Sequence, residues 1–461
     1  MTVFKAYDIR GIAGTELSSE FSERLGRAIA THLDAKSVAV VRDIRESGPE
    51  YHAAFVKGLL SSGADVMDLG VTTTGVLYRS TVDLPVDVAV AITASHNPPE
   101  YNGFKICKGT MPLGGQELQD IRMTFEKGEF REGNGTYTLI ENYEEEYMEK
   151  VLENIGKIER NIKVVLDCGN AVPGPLAVKA LERLGVEVIP IYCEWDNSFP
   201  NHPPDPTRQS NMIDLGKSVI EHGAEFGIGM DGDGDRLGVV DENGEFIHPD
   251  RLIGIFAKDV LAKITKDSTN DEKTILFDVK CSMAVEEAIH DLGGIPRMVR
   301  TGHTFMKSEL REHPGIPLAG EMSGHFFMND DWYGFDDSIY SAARLLQIVG
   351  RDNAPSDGGP TFSERFDFMP EYPTTDEGKV PLTGEREETM SAVLEAFSDM
   401  KKSTVDGIRV RYENGWYLCR PSNTEPILVM RAEGRDKNAL DDILADVNTR
   451  IGHIVDLKKL K

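Results

Sequence analysis

Three stretches of this chain repeat one order of events, and that repetition restricts the fold more than any other feature. In each stretch an apolar strand closes on a polar residue and a helical stretch follows. A Gly-led strand comes next, and then an apolar strand opens into a polar loop. The first unit runs through VAVVRD (38–43), GADVMDLG (63–70) and DVAVAITASHN (87–97). The second runs through KVVLDCGN (163–170), GVEVIPIY (185–192) and EFGIGMDGDGD (225–235). The third runs through TILFDVK (274–280), GGIPRMVRTGH (293–303) and GIPLAGEMSGH (315–325). Intervening stretches such as SVIEHG and AVEEAIHDLGG have helical spacing and stop at Gly. Strands alternating with helices predict α/β units with mixed or parallel sheets, hence three similar domains. Ligands of such sheets gather beyond the carboxyl ends of the strands, where SHN, DGDGD and GEMSGH hold corresponding places. If the units face a common centre, the three loops share a cleft; the alternative is coincidence among common α/β units.

The remainder follows another pattern. APSDGGP (354–360) and PEYPTT (370–375) have linker composition. A helical stretch over 385–399 precedes GIRVRY (407–412), the turn signal Asn414-Gly415 and the run WYLCRPSNTEPILVMRA (416–432), and a second helical stretch covers 438–454. This is the pattern of a small α+β domain. A chain of 461 residues exceeds what one hydrophobic core supports, so three or four domains are expected. The expected divisions are 1–150 (α/β, serine loop), 151–252 (α/β, acidic loop), 253–368 (α/β, GEMSGH loop) and 369–461 (α+β).

A net charge of −27 argues against nucleic acid or anionic lipid as the main ligand. An anionic substrate would need local Arg or Lys groups working against the global field. No apolar stretch approaches the ~20 residues that span a bilayer, and the amino terminus lacks a basic-then-apolar signal, so the cytoplasm is the expected compartment. Five scattered cysteines without CxxC spacing read as small core residues, not as a disulfide framework or a zinc site.

Within DGDGDR, Asp231, Asp233 and Asp235 alternate with Gly232 and Gly234, which let the backbone curl until the carboxylates converge. Hard oxygen ligands of this kind suit Mg²⁺ or Ca²⁺, and an unneutralised cluster would repel itself. An EF-hand is the rival, since Glu242 stands at loop position twelve. Arg236 at position six and strand-like flanks oppose it. Ser95, in TASHNPPEYNGFK (93–105), is a candidate nucleophile or phosphoryl carrier beside His96 and Lys105, although a loop serine is also an ordinary turn or cap residue. Glu321 and Ser323 could hydrogen-bond vicinal hydroxyls, with His325 beyond, or simply form a polar turn. In RPSNTEP, the Arg420 fork, the hydroxyls of Ser422 and Thr424, and Asn423 suit a phosphate dianion, against the plainer reading of a hairpin linker.

Together these residues resemble the α-D-phosphohexomutases, most closely the phosphomannomutase/phosphoglucomutase group, with matching signatures from YDIRG (7–11) to RPSNTEP (420–426). The resemblance implies four domains around a central cleft, three similar mixed α/β domains and a smaller C-terminal α+β domain. It implies that Ser95 is phosphorylated and that one Mg²⁺ is held by Asp231, Asp233, Asp235 and the serine phosphate. Glu321 and Ser323 would hold the sugar 3- and 4-hydroxyls, and Arg420, Ser422, Asn423 and Thr424 the phosphate that is not transferred. Arg10, Lys105, Arg236, Lys280, His303 and His325 match positions around the transfer site or the sugar. The implied activity interconverts hexose 1- and 6-phosphates, mannose or glucose, through a hexose 1,6-bisphosphate that turns over in the cleft.

GEMSG with RPSNTEP favours hexose mutases over the glucosamine mutases, whose loops read GEQSG and RPSGTEP. His96, His325 and Lys105 are all candidates for the general base. The competing readings are a glucosamine or N-acetylglucosamine phosphate mutase, a metal-dependent phosphomonoesterase and a non-catalytic sugar-phosphate sensor. Expected partners are small-molecule sugar phosphates, with no nucleic acid or membrane, for a monomer or small homo-oligomer.

Overall fold

The structure, a computed structural model, describes residues 3–382, 384–422 and 426–457. Three of its sheets follow one plan: the first strand of the unit lies between the second and third, parallel to both, and a return strand pairs antiparallel with the third. In the first sheet Ser37–Arg42 lies between Asp65–Val71 and Val88–Ile92, with Tyr101–Lys108 returning. In the second, Lys163–Asp167 lies between Glu187–Ile191 and Phe226–Met230, with Leu237–Val240 returning. In the third, Thr274–Asp278 lies between Ile295–Val299 and Leu318–Gly320, with Phe326–Met328 returning. The repeat expected from the sequence is therefore present.

The parallel strands are near-continuous apolar runs because both faces of each sheet are covered. Val88–Ile92, Phe226–Met230 and Thr274–Asp278 are buried at every position. Each polar loop singled out above is the turn between a third strand and its return strand. The return strand runs back toward the core, so the turn is pinned at both ends.

The fourth sheet is antiparallel, in the order Gly378–Pro381, Ile427–Gly434, Gly415–Pro421, Ile408–Tyr412, Lys402–Ser403. Helices Arg386–Ala396 and Lys437–Ile451 accompany it. The expected run over 416–432 is two strands that fold back between Pro421 and Pro426, residues with no N–H to donate to a ladder. This domain has its own core around Phe397, Tyr417, Met430 and Val447. It meets the third domain through Trp416, Leu418 and Val279.

Some expectations need correction. The boundaries at 150/151 and 252/253 fall inside helices Tyr143–Ile155 and Pro249–Leu261, and a helix forms as one cooperative unit. Tyr147 and Val151 of the former help build one core shared by all three α/β domains. The APSDGGP segment leads into a packed strap, not a free linker: Phe362 stacks on Phe226 at 4.2 Å, and Arg251 donates to the carbonyls of Phe366 and Met369. Burying one such ring contributes about 1.5–3 kcal/mol, which a loose linker would forgo. All five cysteines are buried and free. Among the described residues no helix is long and apolar enough to cross a membrane.

Candidate active site

The strand Val88–Ile92 delivers Ser95 into a segment that Pro98 and Pro99 keep from becoming helix or strand. Ser95 adopts a left-handed backbone, φ 50°, steadied by its N–H donating to Thr93 Oγ1 at 2.9 Å. Its hydroxyl donates to Asp231 Oδ2 at 2.6 Å and lies 3.1 Å from His96 Nδ1. The acidic turn can come this close because residue 232 is glycine: a Cβ there would lie 2.1 Å from the Ser95 carbonyl oxygen.

Asp231, Asp233 and Asp235 are buried and bring one oxygen each within 4.8 Å of one another. Asp231 Oδ1 accepts from the backbone N–H groups of Asp235 and Arg236, at 2.9 and 3.0 Å, which shapes the turn. Asp233 Oδ2 accepts from Thr74 Oγ1 at 2.8 Å and Lys105 Nζ at 2.7 Å, and Lys105 also bonds Asp235. Asp233 Oδ1 and Asp235 Oδ1 are buried without a hydrogen-bond partner among the described residues. Unshared carboxylate oxygens beside a hydroxyl fit a hard divalent cation. The flanks Phe226–Met230 and Leu237–Val240 are strands, which removes the EF-hand alternative.

Charge in this centre is balanced locally. Burial, reinforced by Asp235 and Asp233, pushes the Asp231 carboxyl well above its ordinary value. Burial alone would lower the Lys105 ammonium, but Asp233 and Asp235 outweigh it and hold the group above its ordinary value, fully charged. His96 is driven well below the ordinary imidazole range by burial and by Arg236, Arg10 and Lys105, and is neutral. Arg10 pairs with Asp8 at 2.6 Å and donates to Asn97 Oδ1 at 2.6 Å, beside the serine.

The third loop closes the opposite side. Arg236 Nε donates to His325 Nε2 at 3.1 Å, while His325 Nδ1 lies 3.1 Å from Asp336 Oδ2. His303 stacks on His325, with centroids 5.4 Å apart, and burial and Lys307 push it well below its ordinary value. Glu321 is fully buried, accepts from the Gly302 N–H at 2.6 Å and lies 3.5 Å from Ser323 Oγ. Burial raises its carboxyl above the ordinary range. Lys280 Nζ is 3.1 Å from Glu377 Oε1, a carboxylate at the entry to the fourth domain.

In the fourth domain Arg420 Nε donates to Asp406 Oδ2 at 2.7 Å, and the same oxygen accepts from Thr301 N–H in the third domain at 3.1 Å. Arg420 Nη2 is buried and has no hydrogen-bond partner among the described residues, a donor that could meet a ligand. Ser422 is also buried. Asn423 and Thr424 lie outside the described residues.

Several residues at this centre escaped sequence reasoning. Asp336 and Asp337 precede helix Ser338–Gly350, where an N-cap signal was available but the partners were not. Asp336 bonds Lys307 Nζ at 2.8 Å, and Lys307 reaches Tyr78 OH of the first domain at 2.9 Å, all buried. Ser338 N–H and Oγ both donate to the Gly234 carbonyl, at 3.0 and 2.8 Å, fastening this helix to the acidic turn. Thr74, Arg45 and Glu377 likewise have partners from distant sequence.

Comparison with known proteins places this geometry in a family. The α/β/α domains I, II and III of phosphoglucomutase/phosphomannomutase match residues 1–132, 145–244 and 248–372, and the family's C-terminal domain matches 378–450. The chain belongs to the phosphoglucomutase/phosphomannomutase family. It is 41% identical over 451 residues to a phosphomannomutase/phosphoglucomutase of Pseudomonas aeruginosa, covering 96% of this chain and 94% of that one. A phosphoglucomutase of Neisseria gonorrhoeae is 39% identical over 453 residues, covering 96% and 95%. The crystal structure of a phosphoglucomutase/phosphomannomutase family protein from Burkholderia thailandensis superposes with a TM-score of 0.89 at 36% identity, covering 98% and 97%. Members of this family are enzymes that move a phosphoryl group within a sugar phosphate.

Proposed function

We propose that this chain interconverts hexose 1-phosphates and hexose 6-phosphates, mannose or glucose, with Ser95 as phosphoryl carrier. One observation carries the reading: the Ser95 hydroxyl, 136 residues distant from Asp231 in sequence, lies 2.6 Å from it, in a buried turn of three carboxylates. That is the neighbourhood a transferable phosphate requires, since phosphoryl transfer depends on positioning and charge neutralisation.

Asp231, Asp233 and Asp235, with the oxygen of Ser95, would hold one Mg²⁺. When bound, that ion would neutralise charge on the transferred group. Lys105, Arg236 and Arg10 border the same point and supply fixed positive charge to the phosphoryl oxygens. Lys105 is engaged by two carboxylates and stays protonated, so it serves as a cation and not as the base. Among the imidazoles, His96 is a poor base, because burial and then the surrounding cations hold it low. His325, with Asp336 behind Nδ1 to orient it, takes the proton of the incoming sugar hydroxyl at Nε2 once Arg236 exchanges its bond there for the phosphoryl oxygens.

Glu321 and Ser323 accept and donate to the sugar 3- and 4-hydroxyls, leaving C2 unread, so both epimers fit. Lys280 and His303 border that sugar pocket. Arg420, Ser422, Asn423 and Thr424 hold the phosphate that stays. Phosphorylated Ser95 gives its phosphoryl group to the free hydroxyl of a hexose monophosphate, the O–P bond to serine breaking as that to the sugar forms. The resulting hexose 1,6-bisphosphate turns and returns its other phosphate to Ser95.

Purified protein incubated with hexose 1,6-bisphosphate should gain one phosphate on Ser95 by intact mass and then interconvert mannose or glucose 1- and 6-phosphates. Ser95→Ala should gain none and lose turnover by more than about 10³-fold. Steady release of inorganic phosphate would instead mean a phosphatase. Preferential turnover of glucosamine or N-acetylglucosamine phosphate would move the substrate assignment.

A further inference from the structure

One residue that contacts none of the groups assigned above to substrate has both of its terminal nitrogens spent on the serine loop. Arg45 follows the strand Ser37–Arg42 and is among the largest fully buried side chains of the molecule. A buried guanidinium is tolerated only when its charge and its five N–H groups are met. Here they are. Nε donates to Asp43 Oδ2 at 3.0 Å. Nη1 donates to the carbonyls of Pro98 and Tyr101, at 2.6 and 3.0 Å. Nη2 donates to those of Ser95 and Asn97, at 2.8 and 2.7 Å. Asp43 Oδ1 in turn accepts the Arg45 backbone N–H at 3.0 Å, closing the pair.

We propose that Arg45 is a positioning residue for phosphoryl transfer, a clamp around which the loop 95–101 is wound so that Ser95 Oγ stays on the acidic turn. The inference rests on the mutase reading and extends it to a residue beneath the site. Four carbonyls, three from the irregular stretch 95–98 and one from the first residue of the strand Tyr101–Lys108, converge on one planar fork. Without that fork the buried Ser95 carbonyl would be an acceptor with no donor, and the loop would rearrange. Ser95 is held at φ 50°, a conformation serine seldom adopts unless its surroundings impose it, and the Arg45 bond to its carbonyl is one of the constraints doing so. On its other side the guanidinium faces the ring of Phe199, 5.4 Å away in the second domain. The clamp therefore registers the serine loop of one domain against the domain that carries the carboxylates.

Lysine cannot substitute. An ammonium offers three donors in a tetrahedral arrangement, so at least two of the five acceptors lose their partner although the charge remains. A role in bulk stability or net charge would tolerate that change better than a role in aiming a hydroxyl.

The test uses the full-length protein and two variants, Arg45→Lys and the milder Asp43→Asn, with circular dichroism confirming the fold. Deuterium exchange of the peptide spanning 95–101 reads the clamp directly, and kcat and KM are measured with a hexose 1-phosphate. For Arg45→Lys, exchange at 95–101 should rise. kcat should fall about 10²-fold with KM within about threefold of wild type, because misplacement of a reacting atom acts on the chemical step. Asp43→Asn should show the same pattern at about a tenth of the size. Unchanged exchange in both variants overturns the clamp. Raised exchange with unchanged kcat, or an effect confined to KM, overturns the positioning role. A failure of the mutase reading shows separately, as a wild-type chain that acquires no phosphate on Ser95, and exchange then judges the clamp alone.

Discussion

The centre around Ser95 and the Arg420 end of the fourth domain, proposed above to hold the phosphate that stays, are built differently. Around Ser95, three domains contribute to one buried knot: Thr74 and Lys105 from the first, Asp231, Asp233 and Asp235 from the second, and His325 and Asp336 from the third. The Arg420 loop sits on a domain with its own core and reaches the third domain through such links as the Asp406 carboxylate to Thr301. A reacting oxygen must be aimed to a fraction of an ångström, whereas a pocket for an unreactive phosphate must let a doubly phosphorylated sugar turn round. On the proposed reading the first demand falls on the Ser95 centre and the second on the Arg420 end.

The contrast makes unequal predictions. Asp233→Ala removes the acceptor shared by Thr74 and Lys105 and one oxygen of the proposed Mg²⁺ site. kcat should fall about 10³-fold, roughly 4 kcal/mol of barrier, and added Mg²⁺ should not restore it. An unchanged Mg²⁺ response would break the comparison at its rigid end.

A second effect concerns the fastening of the knot. Asp337 caps helix Ser338–Gly350 by accepting from Tyr340 N–H at 3.1 Å and also accepts from Tyr147 OH at 2.9 Å. Burial pushes its carboxyl up to about 6 from 3.8. The folded protein thus holds this proton more tightly than the unfolded chain, so stability is lost as pH rises from roughly 4 to 6 and the loss is complete above that. Its size is about 3 kcal/mol. Asp337→Asn, which keeps a capping oxygen without the charge, should melt higher than wild type at pH 8, and the gap should close toward pH 4. Equal melting at both pH values would show that the carboxylate is not a source of strain.

The smallest effect belongs to the pivoting end. Arg420→Ala should raise KM about 30-fold, near 2 kcal/mol, while kcat changes less than about threefold, because the contact is the same in ground and transition states. A fall confined to kcat would place Arg420 in the transfer step and dissolve the distinction.

What the sequence disclosed follows the same divide between local and distant causes. The strand pattern, the three loops and the converging aspartates were legible because strand runs, glycine spacing and turn residues act over a few positions. The Asn414-Gly415 turn also lies between the strands it was expected to join. Asp336, Lys307 and Arg45 were illegible because their meaning lies in partners far along the chain: Lys307 needs Tyr78, 229 positions away, and Arg45 needs carbonyls that any residue supplies. The 150/151 boundary cuts the helix Tyr143–Ile155 although its apolar positions recur at helical spacing; what local reading could not supply is that this face is buried in a core shared by three domains.

The common plan of the three sheets has a practical corollary for redesign. On the proposed reading one kind of turn, inserted at the same place in a repeated scaffold, would serve in turn as a carrier, a cation seat and a reader of hydroxyls. Because each turn is anchored by its own pair of strands, the reader in the third sheet offers a self-contained cassette. Exchanging residues 321–323 should retune which sugar is accepted, provided that His325, the proposed base at the end of the same turn, keeps its place against Asp336.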